Sequence, residues 1–336
     1  MKVRRVAYAA LRRNYHAIDE PASLRALGAD ARARIPADAD VVLAVTSLIA
    51  AALGPLDRPL VSWDDATESA MLDYYPLFRN LSARTRRQSE SVGQSASAAV
   101  TLAIYSSEWA AASARDGYGL APERTAVVPF GPNLDHVPDT ALIHASIAAR
   151  GQDCCRLLWV GVDWRRKGGP LAVAIAQTLS DAGVVVELTV AGCSPPADVR
   201  LPAWVRVEGF ISKRSAEGNA HLASLFARAH FFVMPSAAEA YGLVLVEAAA
   251  FGVPVVAIRT GGVPTIVLDD ETGLLEPATS GPAPYAERML DLWRDRSRYD
   301  AMARAARKRV DETLNWEVAG RDVLTRLKAL LPRRAT

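Results

Sequence analysis

The sequence has little of what marks several protein classes. Its 336 residues include only 3 cysteines, Cys154, Cys155 and Cys193, which are too few and too badly spaced for a disulfide framework or a zinc site. No apolar run reaches the roughly 18 residues that a membrane-spanning helix needs, and the start, MKVRRVAYAALRRN, carries no cleavable signal pattern. These absences predict a cytoplasmic chain.

The sequence also lacks an excess of either sign of charge. Lys and Arg number 39 against 37 Asp and Glu, and the residues up to Arg150 hold 16 of each sign. Neither half therefore has the basic excess of a nucleic-acid-binding lobe, and we expect no nucleic-acid partner. No histidine or cysteine cluster has metal-ligand spacing, so no metal site is expected. Nothing in the sequence indicates an oligomeric state.

Basic residues do gather near both ends of the chain. They are Arg4, Arg5, Arg12, Arg13, Arg326, Lys328, Arg333 and Arg334. Such short runs are most often solvated helix faces, and weak peripheral contact with the anionic inner face of a membrane is the alternative interpretation.

Short apolar runs closed by Gly, Pro or Ser recur along the chain, separated by stretches of helical length and period. The runs lie at 40–45, 59–63, 101–105, 125–129, 156–160, 185–191, 204–207, 230–234 and 254–258. Strands that are apolar on both faces and alternate with helices predict parallel sheets covered on both sides. Strand signals stop between about Pro132 and Asp153, so we predict two α/β domains, 1–138 and 139–336, with the last helix packing back on the first domain.

Helical patterns in the second domain occupy about 169–182, 217–228, 243–251, 284–312 and 316–331. In the first domain the earliest convincing strand comes near Val41, after a stretch with the pattern of helix and loop. That domain is therefore predicted to be short by two or three strand units.

The most informative segment runs from Phe231 to Pro254, FFVMPSAAEAYGLVLVEAAAFGVP. It predicts a strand, a loop and a helix, and such a step places the free N–H groups of a helix start at the carboxyl edge of a sheet, where they suit a diphosphate. Glu239 and Glu247 bracket the start of this helix. A carboxylate in its first turns can accept two adjacent hydroxyls such as those of a ribose, and Gly242 lets backbone approach a ligand without a Cβ in the way.

Lysine is rare in this chain. It occurs only at positions 2, 167, 213, 308 and 328. Lys167 follows Arg165 and Arg166 and precedes two glycines at a predicted strand-to-helix turn. This position suits a compact positive charge that contacts a leaving diphosphate, and one of the arginines could donate two parallel hydrogen bonds to the same group.

These segments resemble the retaining glycosyltransferases of family 4. The two glutamates eight positions apart, the turn LWVGVDWRRKGG, the segment GGVPTIVLDDETGLL and the turn VVPFGPN that ends at Asn133 are each similar to a motif of that family. The resemblance implies the GT-B fold, in which two Rossmann-like domains face each other across a cleft. It also implies a nucleotide-diphosphate sugar, UDP- or GDP-linked, as donor substrate, and no cofactor.

The resemblance carries donor-binding roles onto particular residues. Glu239 would contact hydroxyls of the donor sugar, and the backbone N–H groups of Ala240, Tyr241, Gly242 and Leu243 would contact sugar and phosphates. Glu247 would hold the ribose, the backbone around Phe210 and Ile211 the edge of the base, and Lys167 the diphosphate. Core packing is the alternative for Phe210 and Ile211. The family's usual Arg after the strand glycine is Val162 here, so its task passes to Arg165 or Arg166.

In the first domain, Asp64 and Asp65 end a strand where family members carry a His or Asp near the acceptor. Of this pair we favour Asp65, and in second place Asp64, as a catalytic residue. Glu239 and Lys167 are the other predicted catalytic residues, and Asn133 is predicted on the acceptor side with the two aspartates. A cap on the following helix is the alternative for the Asp pair. The family's first strand and glycine-rich loop have no counterpart before Val41, which leaves this domain shortened, truncated or completed by another chain.

The function predicted by these resemblances is metal-independent transfer of a sugar to an unknown acceptor hydroxyl, with retention of configuration and without an enzyme nucleophile. Two alternatives stay open. The chain could be a binding module or partner subunit that holds the nucleotide sugar without catalysis, or a different GT-B enzyme such as a sugar-nucleotide epimerase.

Overall fold

A computed structural model describes residues 13–331 of the chain. The basic residues Arg4, Arg5, Arg12, Arg333 and Arg334 lie outside this range. Of the others, Arg13 donates to the carbonyl of Leu81 and Arg326 pairs with Asp322. No helix within 13–331 is long and apolar enough to cross a membrane.

The described chain forms two compact units, one from the described parts of Met1–Pro129 and Ala319–Thr336, the other from Phe130–Val318. Each contains a parallel sheet with helices on its faces, as the predicted α/β class requires. The predicted division at residue 138 places Phe130–Asn133 in the first domain, whereas these residues lie in the second unit.

The first unit alternates short strands and helices. Its elements are α1 (Pro21–Ala33), β1 (Val42–Ala44), α2 (Ser47–Leu53), β2 (Leu60–Asp64), α3 (Glu68–Met71), α4 (Ala83–Ala99), β3 (Leu102–Tyr105), α5 (Glu108–Tyr118) and β4 (Thr125–Val127), with 3-10 turns at Ala17–Asp19, Pro76–Phe78 and Pro122–Arg124. The sheet has the order β1-β2-β3-β4. The described residues before β1 contain only helix, turn and loop apart from one isolated bridge between Asn14 and Leu81.

Strands that follow one another across a sheet place all their right-handed connections on one face. Residues of α2, α4 and α5 accordingly share one core cluster with Leu60 and Ala103. The opposite face, with Val61 and Ile104, packs against Ala319 and Val323 of the last helix, α13 (Trp316–Ala329). The C-terminal helix thus covers the face that the connections leave open.

The second unit has a larger sheet. Its elements are α6 (Thr140–Ala149), β5 (Cys155–Val160), α7 (Gly169–Asp181), β6 (Val186–Ala191), β7 (Val205–Gly209), α8 (Ala216–Arg228), β8 (Phe231–Met234), α9 (Leu243–Ala250), β9 (Val255–Ile258), α10 (Val263–Ile266), β10 (Gly273–Glu276), α11 (Pro282–Arg294), α12 (Arg296–Glu312) and the start of α13. The strand order is β10-β9-β8-β5-β6-β7. Successive strands therefore leave β5 in opposite directions, and the topological switch point lies between β5 and β8, where parallel α/β sheets bind ligands.

Candidate functional site

The loop between β8 and α9 holds Glu239 at the carboxyl edge of the sheet. The Glu239 side chain is largely buried, and its loop is fixed by the N–H of Gly262, which donates to the carbonyl of Ala240 over 3.0 Å. Gly242 caps α9 with a φ of 101°, a conformation that L side chains rarely adopt. The glycine thus allows the chain to turn sharply from Glu239 into a helix start.

The loop between β5 and α7 brings Lys167 to the same place. Lys167 forms an ion pair with Glu239, and only 12% of one side chain and 9% of the other is exposed. Gly168 makes this approach possible, since a Cβ at that position would lie 2.1 Å from the carbonyl oxygen of Pro235. The Lys167 carbonyl accepts a hydrogen bond from Trp159 Nε1 over 3.0 Å, which fixes the lysine backbone.

The two neighbouring arginines are placed differently. Arg166 joins the two loops, because its Nη1 donates to the carbonyl of Ala238 over 3.1 Å and its own carbonyl accepts from the N–H of Ala237 over 2.9 Å. Arg165 is exposed. Arg166 is therefore the arginine that the structure places beside the Glu239 loop.

Glu247 lies inside α9 and has a cationic partner that the sequence did not reveal. Lys213 Nζ lies 2.6 Å from Glu247 Oε1, and it also donates to the carbonyl of Asn133 over 3.2 Å. Only 2% of Glu247 is exposed, and its Oε2 has no hydrogen-bond partner within the described residues. Burial raises the pKa of Glu247, while the charge and hydrogen bond of Lys213 and a hydrogen bond from the Asn133 backbone act in the opposite direction. The one available signal for Lys213 was the rarity of lysine.

A cavity of about 600 Å³ opens beside Lys213 within the second unit. The ends of β5 and β6 and the loop after β7 form its wall, and Phe210, Ile211 and Lys213 line it. Phe210 is 75% exposed. The structure therefore places Phe210 and Ile211, the residues predicted for the base edge, on the wall of a space large enough for a nucleoside.

Asp64 and Asp65 lie in the first unit, at and just after the end of β2. The Asp64 carboxylate accepts from the N–H of Ser47 over 2.6 Å and from the N–H of Asp65 over 2.9 Å. Burial raises its pKa. The helix after the Asp pair is capped by Thr67, whose Oγ1 accepts from Ala70 N. Asp64 thus binds the start of the preceding helix, α2, and a role for either aspartate toward an acceptor stays a prediction.

Residues 154–295 match the family model described as Glycosyl transferases group 1. A D-inositol 3-phosphate glycosyltransferase of Paenarthrobacter aurescens is 30% identical over 207 residues, which cover 60% of this chain and 50% of that protein. The same-named enzyme of Streptomyces scabiei is 31% identical over 215 residues, 60% of this chain and 48% of the relative. The chain thus spans about half the length of these curated relatives.

Solved structures resemble both units. A sucrose-phosphate synthase from Thermosynechococcus elongatus has a TM-score of 0.71 at 21% identity, covering 94% of this chain and 79% of its own. The Anabaena protein HepE, solved with UDP-glucose, has a TM-score of 0.61 at 18% identity, covering 86% of this chain and 79% of its own. The predicted resemblance to family 4 and the predicted GT-B fold are confirmed.

Proposed function

We propose that this chain, which carries a group 1 glycosyltransferase domain and has the GT-B fold, transfers a sugar from a nucleotide-diphosphate donor to an acceptor hydroxyl with retention of configuration. One observation carries the proposal. Each of the two motif glutamates is buried and paired with a lysine, Glu239 with Lys167 and Glu247 with Lys213, and Lys213 lines a cavity of nucleoside size.

Lys167 has the charge and the place that a departing diphosphate needs. When the bond between the sugar and the diphosphate breaks, negative charge grows on the diphosphate, and a fixed cation at that point lowers the barrier. Lysine has three N–H donors, so Lys167 can hold Glu239 and still donate to phosphate oxygens. Arg166 and the free N–H groups at the start of α9 add positive potential, which supports transfer without a bound cation.

Glu239 and Glu247 would contact the donor sugar and the ribose, respectively. Glu239 would accept hydroxyls of the sugar, since it lies on the loop that adjoins the diphosphate position. Glu247 would accept from the ribose through Oε2, which has no partner within the described residues. Phe210 and Ile211 would contact the base in the cavity.

A neighbour's ligand and the relatives' names suggest where to look for substrates. HepE was solved with UDP-glucose, so UDP-glucose is the first donor to test, followed by GDP-sugars. The curated relatives are named for D-inositol 3-phosphate, which makes it the first acceptor to test. Asp65, Asp64 and Asn133 are the residues that we propose on the acceptor side, and a cytoplasmic location would give the chain access to nucleotide sugars.

The experiment is a donor and acceptor screen that follows nucleotide release by mass spectrometry, with and without EDTA. We expect release that depends on the acceptor, persists in EDTA and disappears in Glu239→Ala, and a product whose anomeric configuration by NMR equals that of the donor. Equal turnover in wild type and Glu239→Ala would contradict the proposal. Saturable nucleotide binding without any turnover would favour the non-catalytic binding module instead.

A further inference from the structure

Lys213 stands between the buried Glu247 and the open cavity. Of the described residues on the cavity wall, Lys213 and Arg214 carry charge, whereas Glu247 does not reach the wall. One third of the Lys213 side chain is exposed, at 33%, against 2% for Glu247. A ligand that enters the cavity would therefore meet the lysine of this pair first, with the carboxylate directly behind it.

The two hydrogen bonds of Lys213 leave one of its three N–H donors available. A lysine ammonium has three N–H groups and accepts none. One donates to Glu247 Oε1 over 2.6 Å and a second to the carbonyl of Asn133 over 3.2 Å. These two contacts also fix the position of Nζ, so the third N–H is held at the cavity wall with little freedom to lose when a ligand binds.

The pair offers one donor at the cavity wall and one buried acceptor directly behind it. The donor is the third N–H of Lys213, and the acceptor is the Oε2 atom of Glu247, which lacks a partner within the described residues. A vicinal diol matches this arrangement, because one hydroxyl can donate to the carboxylate while the other accepts from the ammonium. A sugar that lacks one of the two hydroxyls leaves a polar group of the protein without a partner.

We propose that Lys213 contacts a ribose hydroxyl of the bound nucleotide and makes the site selective for ribonucleotides over 2′-deoxyribonucleotides. The inference rests on the proposed function, since it takes the cavity as the nucleoside site. It assigns Lys213 as a specificity-determining residue that shares the diol with Glu247. Sites that hydrogen-bond a substrate hydroxyl reject the analogue lacking it far more strongly than purely apolar pockets do.

The test compares UDP with 2′-deoxy-UDP, and GDP with 2′-deoxy-GDP, by calorimetry at pH 7.5. The proteins are wild type, Lys213→Met, Lys213→Arg and Lys308→Met. Lys308 is the matched control, because it is 71% exposed and its only ion pair in the described residues, with Glu312, is loose at 3.8 Å. Thermal unfolding of each variant shows whether it is folded.

We expect wild type and Lys308→Met to bind the ribonucleotide about 10-fold more tightly than the deoxy analogue, or more. In Lys213→Met this ratio should fall toward 1, and Lys213→Arg should restore part of it. A folded Lys213→Met that keeps the wild-type ratio overturns the inference, even if both ligands bind more weakly, since that result would place the lysine on the phosphates. If Lys213→Met does not fold, a wild-type ratio in Lys213→Arg supports the inference and a ratio near 1 in wild type overturns it.

The inference and the proposed function fail in different ways. A wild-type chain that binds none of the four nucleotides overturns both. A wild-type chain that binds UDP or GDP but equally well in the deoxy form overturns the inference alone.

Discussion

Lys167 forms an ion pair with Glu239, although the two residues lie 72 positions apart in the chain. The pairing follows from topology. β5 and β8 are neighbours in register, with Leu157 opposite Phe231, and the loops that leave their carboxyl ends carry the lysine and the glutamate. Because this is the switch point of the sheet, both charges arrive where sheets of this kind bind ligands.

Replacing Lys167 with Met should weaken binding of UDP by about 10-fold to 100-fold, because one charge-assisted hydrogen bond to the diphosphate is lost and Glu239 loses its cation. Titration calorimetry measures the effect. Uridine, which has no phosphate, should bind the variant and wild type alike. An equal loss for uridine and UDP would contradict a role for Lys167 at the diphosphate.

Glu239→Gln should lower kcat for sugar transfer by about 100-fold or more, while the affinity for UDP should change less than 10-fold. The reason is that the proposed contacts of this side chain are with the sugar, which UDP lacks. Steady-state nucleotide release and UDP titration give the two numbers. A variant that loses UDP binding and kcat together would place Glu239 on the nucleotide instead.

Gly168→Ala should destabilise the protein by about 3 kcal/mol or more, since the new Cβ would have to move a backbone oxygen in addition to adopting a φ of 76°. Gly183→Ala is the matched control. Its φ is 87°, but a Cβ there has nothing within 4 Å, so its cost should be about 1 kcal/mol. Thermal unfolding compares the two, and similar losses would contradict the close approach of the loops.

Glu68→Gln should change how stability depends on pH. Glu68 Oε1 accepts from Ser47 Oγ over 3.0 Å, Oε2 is buried with no partner in the described residues, and burial raises the pKa to about 7. Between these two pH values the folded state holds a proton that the unfolded chain has released near pH 4.5. The protonated Glu68 therefore contributes stability that is fully present below pH 4.5 and is lost as the pH rises through about 7.

The variant cannot ionise and should unfold like wild type at pH 4. At pH 9 it should be about 3 kcal/mol more stable. Urea unfolding at the two pH values measures this difference, with the exposed Glu123→Gln as control. A difference between wild type and Glu68→Gln that is the same at both pH values would show that Glu68 does not titrate in this range.

The fold was largely predictable because its strands are apolar on both faces and end at Gly, Pro or Ser. Each of the nine predicted runs overlaps a strand. The tenth strand, Gly273–Glu276, was missed because just two of its residues, Leu274 and Leu275, are apolar and it follows polar turn residues. The single helix predicted over 284–312 was wrong. It is two helices, and Asp295, which caps the second by accepting from the N–H of Arg298, gave no Gly or Pro signal.

The candidate site was predictable only where one local motif contains it. The Glu239 loop and the Lys167 turn each have a recognisable strand-to-helix pattern. The partner of Glu247 was not predictable, because Lys213 approaches from the loop after β7, 34 residues away in sequence, and no local pattern records such a contact. Asp64 was also ambiguous, since its hydrogen bond to Ser47 spans 17 residues.

We propose above all that the second unit binds a nucleotide sugar through its two lysine–glutamate pairs. The most direct test is titration of UDP-glucose and a GDP-sugar into wild type, Glu247→Gln and the control Lys308→Met by calorimetry. We predict saturable binding of at least one donor by wild type and Lys308→Met, weakened at least 10-fold in Glu247→Gln. Binding of neither donor by the folded wild-type chain, or equal binding by all three proteins, would contradict the account.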